Sequence, residues 1–521
     1  GGQSWSVISP DLSTKDPSRI VSSGGIVGDN LGQFAGEVVF AIAPSKLTRG
    51  LIWAGTNDGK VWYTRDGGAT WNDVTKNLGA KPWGTVREIW PSAFDAGTAY
   101  LVMDYHLMDD RHPYIFKTTD YGKSWTKISD ALPQDHPLDY VMSVAENPNR
   151  KGMLFAGTGH AFYYSMDDGA HWTHFQNGLP ASPVSWIQVP KDWHDGVVST
   201  YGRGVYIMHD ITTLEQQDQV PADAEAYFYA PRPGFRMARS GSAEFRFMTR
   251  NAPRDSAELQ IADASGAVVR TMKQAARRGE NQITWDLQYD GPAQPELRTA
   301  APDNPHIWDE PRFAGKDTRP VTHWGIEGTQ RQGPLAVPGH YTAKLTVDGK
   351  TFTRPFEVLT DPKLTTSQAD LEASLQMQIH VRDDITATVK MINRLEVMRH
   401  ALEVEAGKAK GDDARLKAIS AMNDKLMKVE LMLITRENLN SDDKWFVTAD
   451  KVYMNLIWLY AETGLGGGDV AGGANYKPTN TTHEVLQMIE TDLNAGKKAY
   501  DDLMKNDLGD FNKLTGAKII P

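Results

Sequence analysis

Thr64-Arg65-Asp66-Gly67-Gly68-Ala69-Thr70-Trp71 sets a hydroxyl residue, an aspartate two places on, a glycine four places on and a tryptophan seven places on. The pattern returns as Thr118, Asp120, Gly122, Ser124 and Trp125, and again as Ser165, Asp167, Gly169 and Trp172, with His171 in place of the second hydroxyl. Each copy follows an alternating apolar stretch: Val61-Trp62-Tyr63, Tyr114-Ile115-Phe116 and Phe162-Tyr163-Tyr164. Such a pattern is the chemistry of a tight hairpin. The aspartate accepts from backbone N–H groups ahead of it, the glycine supplies a positive φ, and the tryptophan covers the turn with apolar surface. One copy would be an ordinary turn. Three copies, with tryptophans 54 and 47 residues apart, are an internal repeat of short strands, which predicts propeller blades.

This hairpin resembles the Asp-box, or BNR, repeat. A fragment of a further copy opens the chain, where Gly2, Ser4 and Trp5 fall in the motif's places and no aspartate precedes them. The expectation is therefore that the chain is the C-terminal part of a longer polypeptide and that any signal peptide lies outside it.

Composition narrows the class. The 521 residues are 40% apolar, enough for several cores, and carry a net charge of −11. That sign argues against nucleic acid as a partner class. There is no cysteine, so disulfide frameworks and thiolate metal sites are excluded. No run of 18 apolar residues exists to span a membrane.

Read in order, the expected fold is mainly β with a helical C-terminal region. Residues 1–212 are expected as the C-terminal blades of an Asp-box β-propeller. They include a Gly/Ser-rich loop, Ser22-Ser23-Gly24-Gly25-Ile26-Val27-Gly28, and a blade that starts at Gly36-Glu37-Val38. A strand, a glycine turn and a strand without a box, 196–207, form the closing blade, to be completed by a strand from the start of the full propeller. Residues 213–240 are expected as a linker. Over 241–362, strands at short intervals with polar turns predict an Ig-like β-sandwich with a long loop at 292–332. From 363 to 521 the period becomes helical: Ser367 is an N-cap, helices cover 416–434, 445–460 and 482–503, and short connections predict an antiparallel bundle.

The Asp boxes themselves, with Asp66, Gly68, Trp71, Asp120, Gly122, Trp125, Asp167, Gly169 and Trp172, are read as structural turns, because their residues satisfy one another. The loop 104–112 concentrates Asp104, His106, Asp109, Asp110 and His112 in nine residues. Two carboxylates held about 5–10 Å apart would serve as acid and base on a glycosidic bond, with Asp104 and Asp110 the candidates. The same loop with His106 would also suit a divalent cation, but no ligand spacing there matches a closed site, so no metal and no cofactor is expected. Against both readings stands a solvated polar loop. Arg203, in Tyr201-Gly202-Arg203-Gly204, could clamp a carboxylate or tie blades together. Trp83, with Trp90, Trp186 and Trp193, could stack on sugars or pack between blades. The glycine run 464–473 lacks the Gly-Lys-Ser/Thr ending of a phosphate loop. Neither a serine nucleophile elbow nor a His-Glu-x-x-His is present.

The order of parts resembles bacterial BNR-repeat, sortilin-type proteins described as glycosyl-hydrolase-like. The resemblance rests on the three boxes, the turn at 198–210, Tyr229-Ala230-Pro231-Arg232-Pro233, Asn281-Gln282-Ile283-Thr284-Trp285, Pro338-Gly339-His340-Tyr341 and Thr360-Asp361-Pro362. It implies export (secreted, periplasmic or cell-surface) and a propeller like that of xyloglucanase-type enzymes. The missing N-terminal part would be one partner, and a peptide, a glycan or an envelope protein another. No Arg-Ile-Pro motif of sialidases occurs. Two functions remain open at this point: a propeller that binds a peptide or glycan, favoured because no carboxylate pair stands out, and a glycoside hydrolase acting on a β-glucan.

Overall fold

The computed structural model describes residues 2–18, 38–237, 240–442 and 447–515, without the side chains of 513–515. Gly1, the Gly/Ser-rich loop 22–28, the blade start at Gly36-Glu37 and Trp445 lie outside the described residues. The chain divides into two compact units, 1–222 and 223–521.

The first unit is a series of antiparallel sheets, each with its strands in sequence order. Val39–Pro44 (β1), Ile52–Thr56 (β2), Val61–Thr64 (β3) and Asn72–Asp73 (β4) make the first. Thr85–Pro91 (β5), Ala99–Asp104 (β6), Ile115–Thr118 (β7) and Thr126–Lys127 (β8) make the second. The third has Val141–Glu146 (β9), Leu154–Thr158 (β10), Phe162–Ser165 (β11) and Thr173–His174 (β12). Val184–Gln188 (β13), Gly196–Thr200 (β14) and Gly204–Met208 (β15) form a fourth sheet of three strands. These are the expected propeller blades.

Each box closes the hairpin between the third and fourth strands. In the second blade, Thr118 Oγ and Ser124 Oγ donate to Asp120 at 2.9 and 2.6 Å, Ser124 N–H donates to it at 2.9 Å, and Gly122 N–H donates to Thr118 Oγ at 2.8 Å. The same bonds recur around Asp66 and Asp167, with His171 Nδ1 in the hydroxyl's place. The Thr70 hydroxyl and N–H hold Asp66 down at about 2.

The box also joins blades. Gly122 has a φ of 77°, and a Cβ there would stand 2.9 Å from Val74 Cγ2 of the preceding blade. Gly169 meets Ile128 in the same way, and Gly68 meets Ile8. Val74, Ile128 and Ile8 each lie three residues after the tryptophan of their own copy. Trp172 Nε1 donates to Ile128 O, and Trp71 Nε1 to Ile8 O. Residues 5–8 thus hold, against the first blade, the place that 71–74 hold against the second.

In the fourth blade the motif decays. Asp210 follows Met208 by two residues, as Asp66 follows Thr64, but it accepts from Thr212 N–H and Oγ instead. A short helix, Thr212–Glu215 (α1), begins there. Glu215 accepts from Asn147 Nδ2 at 2.7 Å, and Arg150 pairs with Asp218. Within the expected linker, residues 215–218 are therefore held on the third blade by charge-assisted bonds.

The second unit starts within the rest of the expected linker, in Ala226–Phe228 (β16) and Gly234–Arg236 (β17). The other strands are Gly241–Thr249 (β18), Ala257–Ala262 (β19), Val268–Gln274 (β20), Gly279–Trp285 (β21), Gly339–Val347 (β22) and Lys350–Thr360 (β23). β16, β18 and β21 pair as one layer, while β20, β19, β22, β23 and β17 pair as another, with β18 also bonded to β17. Between the layers Phe356 meets Phe245 and Trp285 edge-on, at 5.0 and 6.1 Å between centroids. Asp348 and Gly349, both at positive φ, turn β22 into β23.

Helices Gln368–Lys408 (α2), Asp413–Leu433 (α3), Arg436–Leu439 (α4), Val452–Thr463 (α5), Asn480–Asp502 (α6) and Leu508–Thr515 (α7) complete this unit. Ser367 Oγ caps α2, accepting from Asp370 N–H. The helix expected at 445–460 begins instead at Val452. Thr448 is drawn out to Glu437 before it, and the buried helical face runs only from Val452 onward. The loop 292–332 is a loop, but an anchored one: Leu297, Val321 and Ile326 enter the helical core. Glu396 of α2 accepts from Thr299 N–H and Oγ at 2.8 and 2.7 Å. β17 and the loop after α5 meet at Arg236, fully buried, which donates to Ala336 O, Ala474 O and Asn475 Oδ1 at 2.7–3.0 Å.

Candidate binding site

Because strands alternate in direction, the turns between second and third strands lie at the opposite end of each sheet from the Asp boxes. That loop end carries most of the chemistry. Asp58, His106 and His160 each stand two residues after the last residue of β2, β6 and β10.

Asp104 ends β6 and is buried. It accepts from His106 Nδ1 at 2.7 and 2.8 Å, from His106 N–H at 2.9 Å and from Arg87 Nη1 at 3.3 Å. The His106 ring stacks on Tyr140, 4.5 Å between centroids and 13° between planes. Asp110 accepts from Lys81 Nζ at 2.5 Å, His112 Nδ1 at 2.7 Å and Tyr114 Oη at 2.8 Å. Burial alone would raise the Asp110 carboxyl, but its bonds to Lys81, His112 and Tyr114 outweigh that and hold it well below the carboxylate range. A carboxylate so held keeps no proton to donate at neutral pH. Asp109 is exposed, beside Arg111 at 3.6 Å.

Trp83 is half-buried at a φ of 68°, its backbone against Gly59 of the neighbouring turn. Arg203 is exposed at the tip of the β14–β15 turn, with no ion pair among the described residues. Trp90 packs between the cores of neighbouring blades, whereas Trp186 and Trp193 are exposed. The structure brings Asp104 and His106 together, and groups Asp110 with Lys81, which was not foreseen. Among the described residues, the triplets able to hold a metal are His136, Asp139 and His160, and His380, Asp384 and Glu490, so the 104–112 loop supplies none.

A second feature lies between the third and fourth blades. Phe155, Phe162, Phe175, Val198, Ile207 and Leu214 line an apolar recess of about 160 Å³. Phe175 is three residues after Trp172, the place held by Val74 and Ile128. Those two meet the next blade's glycine; the fourth blade has Thr212 at that place, so Phe175 faces the recess. β15 beside it has no outer partner strand among the described residues, and Val205 and Ile207 are exposed.

Two buried glutamates were invisible in the sequence, since a lone charge in a strand reads as solvent-facing. Glu146 accepts from Ala93 N–H and Tyr100 Oη. Glu88 accepts from Val144 N–H at 2.8 Å, and burial pushes its carboxyl up to about 8 against smaller opposing effects of Val144 and Arg87. Between about pH 4.5 and 8 the folded unit keeps a proton that the unfolded chain has lost. Its stability contribution is whole below about pH 4.5 and is lost as pH rises through about 8, on the order of 1 kcal/mol per pH unit. Glu88→Gln is expected to flatten that dependence. Urea midpoints of both proteins at pH 5 and pH 8 check it; equal pH dependence in the two would refute the buried-proton assignment.

The sheets and boxes define an Asp-box propeller. Residues 59–204 match the Sortilin-Vps10 family model, described as sortilin, neurotensin receptor 3. A xyloglucanase of Hypocrea jecorina (strain QM6a) is 27% identical over 227 residues, 40% of this chain and 26% of the relative. This stretch is thus a sortilin-like propeller related to xyloglucanases, and the chain spans about a quarter of that relative's length. Among solved structures, the GH74 xyloglucanase from Xanthomonas campestris aligns at 14% identity and a TM-score of 0.27, over 61% of this chain and 45% of its own. YCF48 from Cyanidioschyzon merolae aligns at 15% and 0.22, over 40% and 66%. TM-scores this low add nothing to the fold described above. Among the described residues, no helix is long and apolar enough to cross a membrane.

Proposed function

We propose that this propeller binds a peptide in extended form and does not hydrolyse a glycan. The observation that carries the reading is the recess over Phe175 beside β15, whose outer edge has no partner strand among the described residues. An added strand would pair with β15 while one large apolar side chain fills the recess, the role that Trp125 and Trp172 play inside the fold. An apolar cavity of about 150 Å³ accepts a benzene ring, so an aromatic side chain fits the volume. Asp104 and Asp110, both tied up in ion pairs, weigh against acid–base catalysis. An exported location, secreted, periplasmic or cell-surface, goes with this reading; fractionation of the source cells tests it. At the other end of the row, β1 exposes Phe40 and Ile42, a surface suited to a further blade of the same polypeptide.

The hydrolase reading draws on the relation to xyloglucanase. One pair of assays separates the two. Tryptophan-containing peptides of strand length, titrated by fluorescence anisotropy, are expected to bind in the micromolar range and to lose roughly tenfold or more in Ile207→Lys. Reducing-sugar release from xyloglucan is expected to stay at background in the wild type. Release that disappears in Asp104→Asn or Asp110→Asn would overturn the binding reading in favour of hydrolysis. Peptide affinity unchanged by Ile207→Lys would remove the β15 edge as the site.

A further inference from the structure

We propose that His136, Asp139 and His160 form a site for a first-row divalent transition ion, with Zn²⁺ as the reference case. One ring nitrogen of each histidine and one carboxylate oxygen lie within 4.8 Å of one another. His160 Nε2 stands 2.8 Å from Asp139 Oδ1, and the two imidazole centroids are 4.3 Å apart. Two ligands bound tetrahedrally to one ion at about 2.1 Å are separated by about 3.4 Å, so the His160–Asp139 pair would open by about half an ångström to share a metal. Two imidazoles and one carboxylate suit zinc and its neighbours in the first row; calcium and magnesium take oxygen sets.

The plainer reading is a buried aspartate capped by two histidines. What favours a metal is how the three are held. They come from the loop entering β9 and from the β10–β11 turn, and the backbone fastens these together: Gly159 N–H donates to Tyr140 O at 3.1 Å. A Cβ on Gly159 would stand 2.8 Å from Leu138 O and 3.0 Å from the Tyr140 ring, so only glycine lets the turn come this close. His136 N–H donates to Asp139 Oδ2 at 2.8 Å, and Asp139 N–H to His136 O at 3.0 Å. The ligand set is therefore assembled before an ion arrives. Asp139 is 2% exposed and forms the floor, while His136 is exposed and His160 partly so. Three protein ligands with an outward opening are the pattern of metal sites that take a further ligand, not of closed structural ones. Leu138 N–H donates to His136 Nδ1 at 3.1 Å; coordination through that nitrogen exchanges this one hydrogen bond for a metal bond. The ion would lie one residue from Tyr140, whose ring stacks on His106.

The test is calorimetric titration of the whole chain with Zn²⁺ after dialysis against a chelator. The other triplet, His380, Asp384 and Glu490, serves as the internal control. Wild type is expected to bind one ion well below about 100 µM. His136→Ala and His160→Ala should each weaken that binding by roughly tenfold or more, and His380→Ala should leave it unchanged. Circular dichroism confirms that each variant is folded, and since His136 is exposed, its removal does not touch the core. Absence of binding below about 100 µM, or wild-type affinity in His136→Ala, overturns the proposal. So does loss of the tightest binding in His380→Ala. The site does not depend on the peptide-binding reading.

Discussion

Trp53→Ala is expected to destabilise the first unit by about 3–5 kcal/mol. Trp53 is fully buried in β2, the largest side chain in its core. Its ring lies 5.3 Å from Tyr63 of its own blade and 6.0 Å, edge-on at 74°, from Trp125, the box tryptophan of the next blade. Truncation therefore opens a cavity at the point where two blades join, and removes an aromatic pair worth about 0.5–1.5 kcal/mol beyond its buried area. Trp53→Phe keeps a ring against Trp125 and is expected to lose less than half as much. Urea denaturation followed by circular dichroism measures both. A loss below about 1 kcal/mol for the alanine variant would show that the blades are not coupled through this residue.

In the second unit the largest effect is expected from Arg399→Met, again about 3–5 kcal/mol. Arg399 Nη1 donates to Glu396 Oε1 at 2.9 Å and to Glu430 Oε2 at 2.6 Å, and all three side chains are at most 4% exposed. Burial pushes the Glu430 carboxyl up to about 8, with Glu396 adding to the rise and Arg399 opposing it. Removing the guanidinium leaves the buried carboxyl groups of Glu396 and Glu430 without the cation that bridges them. The cost comes from that stranded charge and not from the pair's own strength, so Arg399→Met with Glu430→Leu is expected to recover part of the loss. Glu396 still has Thr299 and the backbone of Arg298 to satisfy it. A double-mutant cycle read by thermal unfolding decides: additive losses from the two substitutions would refute the triad.

How much of this was legible in the chain differs by element. The boxes were, with the aspartate accepting from backbone N–H groups ahead of it and the glycine at positive φ, because these features span a few residues and the motif occurs three times. Aligning the same repeats would also have placed His106 and His160 at equivalent turns. The short β4, β8 and β12 follow from the same reading. The helix start at Val452 was not legible: the aromatic residues before it continue an apolar pattern, and only the pairing of Thr448 with Glu437 shows that the chain does not coil there. The segment 292–332 read only as a long loop, because it is rich in Pro, Gly, Arg and Asp, and its anchoring was not legible. Its buried arginine, Arg319, donates to Thr299 O within the loop and to Leu439 O of α4, 120 residues away in sequence.

The sequence by itself determined the blades, their turns and the change to helix after Ser367, since these rest on interactions between neighbours in the chain, repeated or periodic. Tertiary structure alone decided that Asp104 and Asp110 are held in ion pairs, that Glu88, Arg236 and Glu396 are buried, and that His136, Asp139 and His160 converge. In each case the deciding force is desolvation or charge pairing at close range. Both depend on which distant segments are brought within a few ångströms, and a charged residue looks the same in the sequence whether water or a buried partner surrounds it.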